Sequence, residues 1–310
     1  MKGLADKLRL IYKPFLLITI GFMVTYTFLH WVLFIKAGIP LKENILKFWF
    51  PFTLPFIPVY IWLRPRLKLL QFKDDKGSFG YQFLACMAMA VPTIIAQEYL
   101  ATATGKLTEL ENIAQISQHD RTKYYSLKKY YIDKQHFAVQ NKLSVTGRHN
   151  ENLNMFIYVI MPLLESQDNP FFSSNKYWLG QKYQRQISNR LSNQEKDDRY
   201  KAFAEQAQKE FYKTNFENFT YLEVIGNTDD REEFNKAKRR LGQKSTAENI
   251  IFKANTEPFE ARNGNKLPWV FGSLGIGLLA YLVFLLFPKL KGEEEHHQFT
   301  SGDSSGISKL

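Results

Sequence analysis

Pro14 to Ile35 (PFLLITIGFMVTYTFLHWVLFI) runs for 22 residues without a charge. At about 1.5 Å per residue, a helix of that length covers the roughly 30 Å hydrocarbon core of a bilayer. Phe79 to Ala96 (FGYQFLACMAMAVPTIIA) and Leu267 to Phe287 (LPWVFGSLGIGLLAYLVFLLF) are also uncharged and of spanning length. All three read as transmembrane helices. The mean hydropathy of -0.30 points the other way, because it averages these apolar blocks with one long polar segment.

A further apolar block, Phe48 to Leu63 (FWFPFTLPFIPVYIWL), has 16 residues and holds Pro51, Pro55 and Pro58. Each proline removes an intrahelical donor, so the block must be irregular. A membrane helix tolerates proline where neighbours re-satisfy the freed carbonyls. The block therefore reads as a kinked span packed against the others, with a re-entrant segment as the alternative. Lys47 and Arg64 bracket it and can snorkel to offset its shortness.

Charge sets the expected orientation. Lys2, Lys7, Arg9 and Lys13 precede the first span, Arg64, Arg66, Lys68, Lys73 and Lys76 lie between the second and third, and Lys289 and Lys291 follow the fourth. The positive-inside rule puts these segments in the cytoplasm. The expected layout is a cytoplasmic N-terminus over 1–13, spans at 14–35, 48–63 and 79–96, an extracytoplasmic domain over 97–266, a fourth span at 267–287 and a disordered cytoplasmic tail over 288–310. The first span is too long for the apolar core of a signal peptide, and Ile35-Lys36-Ala37 is a poor cleavage site, so it reads as a permanent anchor. The chain is expected in the cell (inner) membrane.

This layout accounts for the basic pI of about 9.4 without a nucleic-acid partner. Residues 97–266 hold 26 basic and 22 acidic residues, so most of the surplus positive charge belongs to the membrane part. Anionic lipid headgroups are its expected counterpart. The single cysteine, Cys86, lies inside the third span. No disulfide and no thiolate metal site can form in the external segment, and its stability must come from a packed core.

The external segment reads as α+β. Aromatic and basic residues alternate from Thr122, and Phe137, Val139, Leu143 and Val145 fall at period-2 positions around a break at Asn141, as strands do. Met155 to Leu164 (MFIYVIMPLL) is a continuous apolar run of strand length and reads as a central strand. Tyr177 to Leu191 fits strand or helix. Ser192 and Glu195 form a capping box ahead of a helix whose Tyr200, Phe203, Ala204, Ala207 and Phe211 make one stripe. Phe219 to Ile225 reads as a strand. Thr228 caps a second helix, acidic in its first turn and basic in its last, with Gly242 to stop it. Asn249 to Ala254 is the last strand.

Catalytic signals are weak. Gly302-Asp303-Ser304-Ser305-Gly306 matches G-x-S-x-G, but that motif works only on a strand-to-helix turn with an oxyanion hole, and Ser304 lies in a polar tail. His296 and His297 are an adjacent pair on the same tail, a poor metal site. His119, His136 and His149 lack ligand-like spacing. No cofactor or metal is expected. Two sets of residues remain as candidates. His30, Gln97 and Glu98 fall at similar depth near the outer ends of the first and third spans, where an ionisable group is a functional candidate, although Trp31 and Tyr99 mark an ordinary interfacial belt. Glu260 and Arg262 lie in the polar juxtamembrane stretch EPFEARNGNKLPW, which also reads as a plain turn. Ser273 and Gly277 have the spacing of close helix packing. Tyr124, Tyr125, Tyr130 and Tyr131, with Lys128 and Lys129, suggest a surface half core and half exposed.

The stretches YKPFLLITIGFMVTYTFLHWVLFIK, VPTIIAQEYLATATGKLTEL, YYIDKQ, IGNTDD and EPFEARNGNKLPWVFGSLGIG resemble the N-terminal extension that precedes the catalytic core in some bacterial rhomboid-type intramembrane serine proteases. The likeness covers most of residues 10 to 290. Such proteases need a G-x-S-G serine at a membrane-helix start and a histidine in a later span, and this chain has neither. The resemblance thus implies a free-standing relative of the extension, or the product of a split or shortened gene.

The sequence as a whole leads to the expectation of a non-enzymatic, polytopic membrane protein with four spans and an extracytoplasmic α+β recognition domain. Its expected partners are membrane lipid and another membrane or envelope protein, and not nucleic acid. The alternative is a regulatory or substrate-presenting module for a rhomboid-type core on another polypeptide. Transport is disfavoured, because only His30, Gln82, Gln97 and Glu98 strongly interrupt the apolar runs.

Overall fold

A computed structural model describes residues 2–39, 41–72, 75–168, 175–243 and 249–291. The Gly302–Gly306 pattern, the His296–His297 pair and most of the tail expected to be disordered lie outside the described residues. In chain order the elements are helices α1 (Gly3–Lys36) and α2 (Ile45–Leu67), strand β1 (Leu70–Gln71) and helix α3 (Asp75–Ala103). Strands β2 (Leu107–Asn112), β3 (Tyr124–Lys129), β4 (Tyr131–Ile132), β5 (Ala138–Thr146), β6 (Asn152–Leu164) and β7 (Tyr177–Ser188) follow. The remainder is helix α4 (Asn193–Lys213), strand β8 (Tyr221–Val224), helix α5 (Asp229–Arg240), strand β9 (Ile250–Asn255), helix α6 (Lys266–Leu286) and strand β10 (Lys289–Leu290). The chain forms two compact units: residues up to Ala103 together with those from Asn263 onward, and Thr104–Arg262.

The first unit holds four helices long and apolar enough to cross a membrane. The proline-rich block is helical over 23 residues, longer than its uncharged run, because Ile45–Lys47 and Arg64–Leu67 continue it. Its prolines are accommodated by wide π-type turns over Ile45–Trp49 and Val59–Leu63 and by a break at Leu54–Pro55. The Lys7 ammonium donates to Leu286 O at 3.3 Å, and β1 pairs antiparallel with β10. The N-terminal turn, the chain after α2 and the chain after α6 therefore meet at one end of the bundle. Its core stacks Phe15 on Tyr281, with centroids 3.8 Å apart, among Leu63, Cys86, Met89 and Leu285. Gly277 is where α6 meets Ala88 of α3, whereas Gly272 and Gly275 face open space.

In the second unit a single sheet runs in the order β2-β3-β8-β9-β7-β6-β4, with β5 also paired to β6 beside β4. The β2–β3 and β7–β9 pairs are parallel and the others antiparallel. Both faces are covered, which explains the unbroken apolar run of β6. Met155, Ile157, Val159 and Met161 pack in the same core as Phe203, Ala207 and Phe211 of α4. Tyr158 and Ile160 pack with Trp178 and with Phe234 and Ala237 of α5 on the opposite face. Tyr177–Ser188, ambiguous in sequence, is strand because its ladder with β6 extends from Asn152↔Ser188 to Pro162↔Trp178. The Ser192–Glu195 capping box forms at the start of α4, and the Thr228 side chain caps α5. Of the tyrosines read as half core and half exposed, Tyr124 and Tyr125 are buried and Tyr130 and Tyr131 are half-buried. Tyr125 faces the α4-side core, while Tyr124 packs edge-on to Tyr221 and Phe259, so both are buried.

Candidate functional site

The structure divides the polar set near the ends of α1 and α3. His30 and Gln97 are buried, while Glu98 is exposed. His30 lies within electrostatic reach of Glu43 and Lys47, which pair with each other, and its Nδ1 has no hydrogen-bond partner among the described residues. The Gln97 amide sits beside the Tyr26 hydroxyl, but that hydroxyl donates to Leu46 O at 2.9 Å and neither Gln97 Nε2 nor Oε1 completes a hydrogen bond among the described residues. The cluster is thus His30, Gln97 and Tyr26 with the Glu43–Lys47 pair, and Glu98 stands apart from it.

Of the juxtamembrane pair, Glu260 is exposed. Arg262 stacks its guanidinium 3.9 Å from the Phe259 ring centroid and donates to Phe259 O at 3.0 Å. These contacts tie off a turn around Phe259. Among the described residues no group of three or more His, Cys, Asp or Glu is placed to hold a metal ion. His136 Nδ1 lies 2.7 Å from Asp133 Oδ2, and the same carboxylate's other oxygen accepts from the Gln135 and His136 backbone, an arrangement that ties off the loop between β4 and β5.

One concave feature of the second unit is an apolar groove of about 210 Å³ between α4 and the sheet. Phe137, Val139 and Asn141 form one wall, Ile157, Val159 and Tyr183 the floor, and Tyr200, Ala204, Gln208 and Tyr212 the helical wall. It arises because α4 lies over β6 and β7 and leaves β5 uncovered. Leu143 and Val145, next along the same face of β5, are consequently 59% and 46% exposed. At the floor, Tyr183 is only 5% exposed and its hydroxyl has no hydrogen-bond partner among the described residues. Burial, with Glu210 nearby, pushes that hydroxyl up to about 12, so it remains protonated at physiological pH.

Comparison with protein families, curated proteins and solved structures returns no match. The likeness to the rhomboid-associated extension therefore rests on the sequence stretches quoted above, and the groove has to be read from its own chemistry.

Nothing in the sequence marks the groove as a unit. Tyr200 and Ala204 belong to the helical stripe, which reads as core, and the alternation of Phe137, Val139, Leu143 and Val145 reads as one buried face. The available signal is the length of that alternation: it continues beyond what a single crossing helix covers.

Proposed function

We propose that this chain is a multi-pass protein of the cell membrane that displays a protein-recognition domain on the outer side. The apolar perimeter of the first unit supports the membrane part, since Leu17, Val24, Phe28, Phe271 and Ile276 all project outward. An open groove of about 480 Å³ between α1 and α2, lined by Phe22, Leu29, Ile57 and Trp62, has the apolar character of an acyl-chain contact. The basic segments gather at one bundle end, and the positive-inside rule assigns that end to the cytoplasm. The segment between the third and fourth spans then lies outside.

The observation that carries the recognition reading is the groove under α4 flanked by exposed Leu143 and Val145. An apolar hollow continuous with exposed apolar side chains costs solubility unless a partner covers it. No cofactor is called for, and the binding energy comes from burial of these side chains.

The native cysteine is buried, so single-cysteine probes are clean. Cysteine at Leu143 should react with a membrane-impermeant maleimide in intact cells, and cysteine at Arg66 only after permeabilisation. The reverse pattern would refute the topology. A photo-crosslinking residue at Val145 or Tyr212 should trap one defined envelope protein that the same residue at exposed Lys236 does not trap. Equal trapping at all three positions, or none, would refute the recognition reading.

A further inference from the structure

The groove lies against a free sheet edge, and the phase of that edge can be read from the β6 ladder. Asp133 N–H donates to Pro162 O at 3.1 Å, so the even-numbered residues of β6 turn their backbone groups toward the β4–β5 side. Their partners on β5 are Ala138, Gln140, Lys142 and Ser144. The odd-numbered Val139, Asn141, Leu143 and Val145 therefore point their N–H and C=O groups outward. Val139 O confirms the phase by accepting from Arg240 Nη1 at 2.6 Å, and Asn141 O accepts from the Gln140 side chain at 3.0 Å. From Asn141 N–H through Val145 the edge has no backbone partner among the described residues. The side chains of these same residues stand on the groove face.

Two cations flank the site without a carboxylate partner among the described residues. Arg240 is at Val139, and Lys134, whose ammonium donates to Thr214 O at 2.6 Å, lies 5.8 Å from the centroid of groove-lining Phe211. Exposed apolar strand edges invite self-association, and proteins ordinarily blunt them. This one is left open beside a pocket larger than the roughly 150 Å³ cavity that holds a benzene.

We infer that the groove and the β5 edge are one site for an extended acidic peptide, which adds as a strand beside Asn141–Val145, places one aromatic side chain under α4 and sets its carboxylates near Arg240 and Lys134. Backbone pairing along the edge supplies register, and alternate side chains of the added strand reach the groove. The hollow is lined mostly by aromatic and aliphatic side chains, which favours an aromatic anchor. A free acyl chain would fill the hollow but use neither the edge nor the cations. This inference rests on the recognition reading and specifies its partner.

The test is selection of a displayed random octapeptide library on the full chain in nanodiscs, with affinities of enriched peptides measured by fluorescence anisotropy. Enriched peptides are expected to carry an aromatic residue with Asp or Glu nearby. Leu143→Pro removes an outward N–H, which an edge strand tolerates, together with the leucine side chain, and should weaken binding about tenfold or more. Leu143→Thr, which keeps that N–H, should restore most of it. Ala204→Phe fills the hollow independently of the edge and should also weaken binding about tenfold. Should Leu143→Pro impair folding, Ala204→Phe and the loss of affinity on replacing the peptide's acids by amides decide the matter. Enriched peptides indifferent to Leu143→Pro and Ala204→Phe, or a groove that takes fatty acid and no peptide, would overturn strand addition. Neither result touches the crosslinking experiment, whose failure would remove the recognition reading itself.

Discussion

The ammonium of Lys238 lies 5.8 Å from the ring centroid of Trp178, with no exposed surface and no hydrogen-bond acceptor among the described residues. Burial, reinforced by Arg231 and Arg239, pushes it down to about 8. Between that value and the usual lysine range near 10.5, the unfolded chain binds a proton that the folded chain lacks, so stability rises with pH across this window. Below about 8 the penalty is present in full. Lys238→Met should raise stability at pH 7 by about 1–3 kcal/mol and flatten the rise between about pH 8 and 10. Thermal unfolding of wild type and variant across that range checks both points.

Gly277 permits a close approach between α6 and α3. A Cβ there would stand 2.9 Å from Ala88 Cβ and 3.0 Å from its Cα, so the helices would have to separate. Gly277→Val should destabilise the first unit by about 1–3 kcal/mol. Gly275→Ala, where nothing lies within 4 Å, should be neutral or slightly stabilising. Melting temperatures of the two variants in one detergent make the comparison.

Gly180 of β7 plays the same part between sheet and α5. An added Cβ would meet the Phe234 ring at 2.8 Å, and that ring packs edge-on to Tyr158 at 5.2 Å between centroids. Gly180→Ala should cost about 1–3 kcal/mol. Gly180→Ala combined with Phe234→Leu should cost less than the sum of the single changes, a coupling read by a double-mutant cycle.

Asp230 joins α5 to the sheet. Its carboxylate accepts from the Tyr158 hydroxyl at 2.8 Å and from Lys182 Nζ at 2.8 and 2.9 Å. Burial, followed by Asp230 itself, raises the Tyr158 hydroxyl far above its ordinary range. Asp230→Ala leaves both donors unpaired. Because the carboxylate is 39% exposed, water screens part of the loss, and about 1–2 kcal/mol is expected. Ultraviolet titration should show one tyrosine becoming easier to ionise.

Gln97 is 0% exposed, and both amide atoms lack a partner among the described residues. Gln97→Leu should therefore leave the stability of the first unit unchanged or raise it by about 1 kcal/mol. A marked drop in thermal stability would show that the amide has a partner in the membrane.

Much of the architecture was written in local pattern. The apolar runs state how many helices match a bilayer, and the structure lengthened them without changing their number. Ser192 and Glu195 are three residues apart, so their capping box needed no distant information. The charge order of Asp229–Arg240 and the φ of +72° at Gly242 belong equally to short range. Less legible was which residues of a correctly read element are buried. Tyr124 and Tyr125 are neighbours on one strand, and both are buried only because each sheet face acquired its own cover.

What the sequence determined alone is therefore the set of segments: apolar length against bilayer thickness, and period and caps for α4, α5 and the strands. What only the tertiary structure decided is where cover ends. Val139, Tyr183 and Tyr212 meet through the registers Val139↔Val159 and Ile157↔Tyr183 and through the placement of α4. Leu143 and Val145 continue the same alternation into solvent, because one helix is too narrow to roof the whole sheet.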